Sequence, residues 1–248
     1  MLAITEGTQA AKIPKILWNW EQTNYQAEWH EPIFELMARY VPKGSRILEV
    51  GAGGSHTLGA LAGRLHCSGH GLEPDLQGIE KTKELGRNEG AIVEMIRGDG
   101  FNLPYRDGEF DVVYSLGLIE HFTPNQTADL IAEHVRVCKA DGIVIIAVPN
   151  YLNFPHTFRK FILGRNYEYY PERSYTPKQL ERMLVAARLR IKARDGVLPL
   201  WGLAMYSGAW RITAVLDRIG VASQLNHLKS SKLRAALGYM TYIIANKY

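Results

Sequence analysis

The stretch Arg46-Ile-Leu-Glu-Val-Gly-Ala-Gly-Gly-Ser-His56 decides how this chain folds. Ile47, Leu48 and Val50 supply a buried strand. Gly51 and Gly53 then turn the backbone sharply into a helix, with no Cβ in the way of a ligand. A glycine turn at a helix start is how open α/β sheets hold a nucleotide-like cofactor. Two details narrow the choice. A dinucleotide pattern needs a third glycine three residues after the second, and His56 stands there. Glu49 lies two residues before the first glycine, where a carboxylate repels a pyrophosphate and suits an ammonium or sulfonium group. The stretch therefore points away from a dinucleotide and toward a cofactor that carries positive charge.

Outward from this turn, strand-like and helix-like segments alternate. Residues 25–40 suggest a helix with Pro32 as an interruption. After the strand at 46–50 come a helix near 55–65, a second strand ending at Glu73, a helix over 75–88 and a third strand ending before Asp99. Asp107-Gly108 announces a fourth strand, Phe110–Ser115. A helix over 124–137 takes Pro124 in its first turn. Asp141-Gly142 starts a fifth strand, GIVIIAVPN, apolar throughout as a strand covered on both faces should be. An aromatic loop is expected over about 151–175. Thr176-Pro-Lys-Gln179 reads as a capped helix start, ARLRIKARD as a sixth strand, 200–237 as inserted helices, and GYMTYIIANK as a last strand. The alternation predicts an α/β fold with a mainly parallel sheet, and a last strand can enter antiparallel. The predicted organisation is a helical N-terminal cap (1–40), a main domain (41–199 and 238–248) and a helical insertion (200–237).

The 248 residues suffice for one large α/β domain with additions. Cys67 and Cys138 stand alone, so neither a disulfide framework nor a zinc site is implied. The first twenty residues lack the apolar core of a signal peptide, and no apolar run reaches membrane-spanning length, so a cytoplasmic location is expected. The net charge of +4 hides an asymmetry. Residues 1–150 carry 13 Lys and Arg against 20 Asp and Glu, a balance of −7. Residues 151–248 carry 16 against 5, a balance of +11. The later half offers either a solvated basic face or a surface for an anionic partner.

Four blocks in order, LEVGAGGS, GLEPD, GDGFNLPY and FDVVYSLGLIEHF, carry a resemblance to the class I S-adenosylmethionine-dependent methyltransferases that act on small molecules. It covers roughly residues 40–195 and the final strand. It implies a Rossmann-like sheet of seven strands, the last antiparallel, with helices on both faces, and S-adenosylmethionine as cofactor. It further implies that Glu73 accepts from both ribose hydroxyls, a match of carboxylate to vicinal diol. Asp99 corresponds to the acceptor of the adenine amino group, with the N–H of Gly100 or Phe101 on a ring nitrogen. Glu49, Gly51, Gly53, Ser115 and Leu116 surround the rest of the cofactor. Ser55 replaces the family's usual third glycine. Its side chain either points away from the cofactor or adds a hydroxyl hydrogen bond to the carboxylate.

Ligands of such sheets sit at the carboxyl ends of the strands, near the switch in strand order. That places the acceptor beside 116–122 and just after Pro149. His121, in Ile-Glu-His-Phe, resembles the Glu-His pair of quinone-precursor O-methyltransferases and is the first candidate base; His156 is the second. Trp18, Tyr25, Trp29, Tyr151, Tyr167 and Tyr169 are the candidate substrate contacts, suited to a flat or apolar acceptor. No metal cluster is evident. The expected acceptor is an oxygen or nitrogen of a small, partly aromatic or apolar metabolite. Rival readings are an RNA methyltransferase using the basic half, which predicts salt-sensitive RNA binding, and a cofactor-binding partner protein without catalysis. The segment 200–237 offers a lid, a homodimer contact or a membrane-surface helix, in that order.

Overall fold

The computed structural model describes residues 30–167, 171–199, 215–216 and 218–248. Seven strands form one sheet: β1 Arg46–Val50, β2 Ser68–Glu73, β3 Glu94–Arg97, β4 Phe110–Leu116, β5 Cys138–Pro149, β6 Leu189–Val197 and β7 Met240–Lys247. Their order is β3-β2-β1-β4-β5-β7-β6. β7 alone runs antiparallel to its neighbours, as expected from the sequence. The order reverses between β1 and β4, and a crevice opens at such a switch point.

Among the described residues the α-helices are α1 His30–Ala38, α2 His56–Arg64, α3 Leu76–Asn88, α4 Pro124–Val137, α5 Phe154–Leu163, α6 Pro177–Ala186, α7 Val221–Asn226 and α8 Ser231–Leu237. Alternation along β5 shows why both faces are covered. Ile143, Ile145 and Ala147 pack with Leu36 and Met37 of α1 and Leu58 and Leu61 of α2. Val144, Ile146 and Val148 pack with Leu130 and Ile131 of α4 and Leu180 and Leu184 of α6. Each such fully buried aliphatic side chain contributes roughly 1.5–3 kcal/mol. One buried ion pair ties the far edge: Arg234 of α8 makes two 2.6 Å bonds to Asp195 of β6, and Tyr40 donates to the same carboxylate at 3.0 Å.

Three sequence expectations need correction. Pro32 does not interrupt α1 within the described residues, where the helix runs through it from His30 to Ala38. β5 starts at Cys138, ahead of the Asp141-Gly142 turn; Asp141 adopts φ +59 inside a bulged strand that still pairs Cys138 with Phe110. The expected loop over 151–175 contains a helix, α5, capped by Asn153 with Pro155 in its first turn. Its aromatic positions are helically spaced, and in the structure they face outward instead of onto the core. Residues 1–29 of the expected cap and most of 200–217 lie outside the described residues. Among the described residues no helix is long and apolar enough to cross a membrane.

Candidate active site

The site is built where β1 gives way to α2. Gly51 adopts φ +77 and Gly54 φ +65, left-handed values that favour glycine. The N–H groups of Gly51 and Ala52 both donate to the Leu72 carbonyl, at 2.8 and 3.0 Å, which holds the turn against β2. A Cβ on Gly51 would come within 3.0 Å of the Leu118 side chain, so the turn also abuts the end of β4. Thr82 of α3 accepts from the Ser55 N–H and donates to the Ala52 carbonyl.

Glu49 is 3% exposed. Ser55 Oγ and the Tyr114 hydroxyl both donate to its Oε2, at 2.6 and 2.9 Å. Among the described residues nothing donates to Oε1. Burial pushes this carboxyl up to about 7 despite the two donors, and nearby Glu73 adds to the rise. Ser55 thus points into the protein: its hydroxyl also caps α2, accepting from the Leu58 N–H at 3.1 Å. Tyr114 is the residue that sequence reasoning missed here. It reads as a core aromatic in an apolar strand, and only the β1–β4 register puts it opposite Glu49.

Glu73 ends β2, buried, and accepts from the Asp75 N–H at 3.0 Å and from the Gly53 N–H. Burial raises its carboxyl above the ordinary range. Asp99 is half-buried, and its Oδ1 accepts from the Phe101 N–H at 3.0 Å. Of the two N–H groups considered for an adenine ring, Phe101's is thereby engaged, which leaves Gly100's. A Cβ on Gly100 would meet Val50 and Leu130 at 3.2 and 3.0 Å, so this loop lies against the end of β1. The Phe101 ring packs edge-on to Phe122 at 5.1 Å. At the end of β4, Ser115 is fully buried with Oγ unpartnered, and Leu116 is half-buried beside Gly117. The structure thus gathers Glu49, Gly51, Gly53, Ser55, Glu73, Gly100, Ser115 and Leu116 around the switch point.

His121 sits in a 3-10 turn, Ile119–His121, just beyond β4. Its Nδ1 lies 3.1 Å from the Pro171 carbonyl. A carbonyl only accepts, so Nδ1 carries the proton and the lone pair is on Nε2. Burial lowers its pKa, so the ring is neutral at pH 7. Nε2 stands 4.0 Å from Glu120 Oε1. Glu120 is buried, its Oε2 is unpartnered, and burial with the neighbouring Glu172 charge drives its carboxyl far above the ordinary value.

His156 has a different place. It is fully buried in α5, and its Nε2 donates to Glu172 Oε1 at 3.2 Å. Lys160 reaches the same oxygen at 2.8 Å, and Tyr167, also buried, donates to Oε2 at 3.2 Å. Burial works to raise Glu172, but the bonds from His156 and Lys160 outweigh it and keep the carboxylate ionised. His156 and Tyr167 thereby anchor α5 through Glu172, whose charge also acts on Glu120 and His121. Tyr151 is exposed. Trp18, Tyr25, Trp29 and Tyr169 lie outside the described residues. Among the described residues no cluster of three or more metal-ligating side chains occurs.

Residues 48–146 match the family model described as Methyltransferase domain. The chain is 32% identical over 109 residues to norajmaline N-methyltransferase of Rauvolfia serpentina, covering 42% of this chain and 35% of that one. It is 28% identical over 154 residues to phthiotriol/phenolphthiotriol dimycocerosates methyltransferase 1 of Mycobacterium ulcerans, covering 57% and 55%. The chain spans about a third to a half of the length of these curated relatives. In fold it is similar to an S-adenosylmethionine-dependent methyltransferase of Thermotoga maritima, a possible histamine N-methyltransferase. That match has a TM-score of 0.58 at 17% identity and covers 89% of this chain and 90% of that one.

Proposed function

We propose, from the premise that residues 48–146 form a class I S-adenosylmethionine-dependent methyltransferase domain, that this chain moves a methyl group to an oxygen or nitrogen of a small, partly apolar acceptor. S-adenosylmethionine is the cofactor. The observation that carries the reading is the pair of buried carboxyls, Glu49 and Glu73, on either side of a left-handed glycine turn. Both are raised by burial, so a cationic, diol-bearing ligand relieves a cost built into the fold.

When bound, the cofactor supplies an electrophilic methyl group on a sulfonium. Glu49, oriented by Ser55 and Tyr114, meets its methionine end with Oε1. Glu73 accepts from the ribose hydroxyls. Asp99 and the Gly100 N–H hold the adenine edge. Ser115 Oγ, without a partner among the described residues, gains one in the filled site. His121 Nε2 takes the proton from a hydroxyl acceptor, and the Pro171 carbonyl holds the imidazole in the tautomer that permits this. Exclusion of water and alignment of acceptor with methyl group supply much of the remaining rate.

Calorimetric titration with S-adenosylmethionine and its demethylated product tests the reading. Wild type is expected to bind both. Glu73→Ala is expected to bind roughly 30- to 100-fold more weakly, as loss of a charged hydrogen-bond acceptor implies. Wild-type protein that binds neither, with or without phenol and amine acceptors present, would overturn it.

A further inference from the structure

Helix α5 is built inside out. Its inward face is polar: His156 and Lys160, one turn apart, both bond Glu172, and Lys160 also donates to Ser174 Oγ at 2.8 Å. Its outward face is apolar. Phe154, Phe158, Phe161 and Ile162 fall at helical spacing i, i+4, i+7 and i+8, and Phe161 and Ile162 are 81% and 63% exposed. Tyr151 and Leu152, just before the helix, are at least half exposed. A contiguous apolar face of this kind marks an interaction surface.

The surrounding charge says which kind. Residues 150–167 contain Arg159, Lys160 and Arg165; Lys160 is taken up by Glu172 on the inward face, and Arg165 is left on the exposed side. Arg165 is exposed at the end of the helix, and Arg159 lies over the Tyr167 ring at 5.5 Å. They belong to the half of the chain with a balance of +11. A second copy docked face to face would bring the exposed Arg165 of one copy toward the same basic part of the other. An anionic lipid surface offers both an apolar interior and opposite charge.

We propose that α5 docks this protein on anionic bilayers, with Phe158, Phe161 and Ile162 at the acyl boundary and Arg165 among the headgroups. The helix is rigidly mounted for this. Asn153 caps it and donates to the Pro199 and Leu237 carbonyls, both at 3.1 Å, while Asn150 at the end of β5 donates to three carbonyls between Ala235 and Gly238. The docking face therefore stands beside the carboxyl ends of the strands, where a membrane-dissolved acceptor enters. That last consequence alone rests on the methyl-transfer reading.

The test is co-sedimentation of the full chain with vesicles of phosphatidylcholine alone or with about a third phosphatidylglycerol, without cofactor or acceptor. Wild type is expected to pellet with the anionic vesicles and to be released by salt. Phe161→Glu is expected to weaken this at least about tenfold, and Arg165→Glu to weaken it on anionic vesicles only. Both side chains are exposed, and an unchanged melting temperature checks the fold. No pelleting with anionic vesicles overturns the proposal, as does Phe161→Glu binding like wild type. It is overturned in favour of a second copy if Phe161→Glu abolishes concentration-dependent dimerisation instead. It is overturned in favour of RNA if transfer RNA binds and vesicles do not. Because no cofactor is present, failure here is distinct from failure of the methyl-transfer reading.

Discussion

Tyr114 and Glu49 are register partners on the parallel strands β4 and β1, and the phenol donates to Glu49 Oε2 at 2.9 Å across the switch point of the sheet. With Ser55 on the same oxygen, this leaves the Glu49 carboxyl one orientation. Tyr114→Phe keeps the ring and removes only the donor. Its loss raises the Glu49 pKa further, so at pH 7 less of the carboxylate is available to a cationic ligand. Calorimetry is expected to show cofactor affinity reduced by about 1 kcal/mol at pH 7. The deficit should shrink as pH rises and the carboxylate reforms. A deficit independent of pH would mean that Tyr114 acts only by packing.

Glu49 also sets a pH dependence of stability. Its pKa is about 7 folded against 4.5 in the reference state. Between those values the native state keeps a proton that the unfolded state has released. Stability contributed at this site therefore falls as pH rises through the window, by up to about 3 kcal/mol. Glu49→Gln removes the titration. In urea unfolding, the variant should gain on wild type as pH rises from about 5 to about 7.5. A constant difference would refute the assignment.

His121 should matter to chemistry and not to cofactor binding. His121→Ala is expected to lower turnover of a phenolic acceptor by roughly a hundred- to ten-thousandfold, with unchanged cofactor affinity. Burial depresses its pKa, so the acid limb of the wild-type rate profile should have its midpoint below 6.5. An acid limb at or above the ordinary histidine value would assign the base elsewhere.

The Arg234–Asp195 pair predicts a structural cost far from the site. Asp195 has no exposed surface and takes both guanidinium bonds at 2.6 Å. Arg234→Ala leaves that carboxylate buried with Tyr40 and the Gly196 N–H as donors and only the half-exposed Arg39, at 3.8 Å, as a cation. Denaturant unfolding should show a loss of about 3–5 kcal/mol. A loss under 1 kcal/mol would mean that water replaces the guanidinium.

What the sequence alone determined is the part governed by local spacing. Strand period, glycine turns and capping residues act over a few neighbours, so the β1–Gly51–α2 unit, Glu73 at the end of β2, helix α4 and the existence of β7 are legible, while the antiparallel direction of β7 came from the family resemblance. The tertiary structure decided what depends on residues far apart in the chain. Tyr114 meets Glu49 only through strand register. The Ser55 hydroxyl bonds Glu49 and the Phe101 N–H bonds Asp99, contacts that depend on how the loops close over β1. His156, expected in a loop, lies inside a helix and bonds Glu172, which Lys160 also reaches. That helix was within reach of the sequence, through the i, i+4, i+7, i+8 spacing of Phe154, Phe158, Phe161 and Ile162 after an Asn153 cap, but that its stripe faces solvent only the tertiary structure shows.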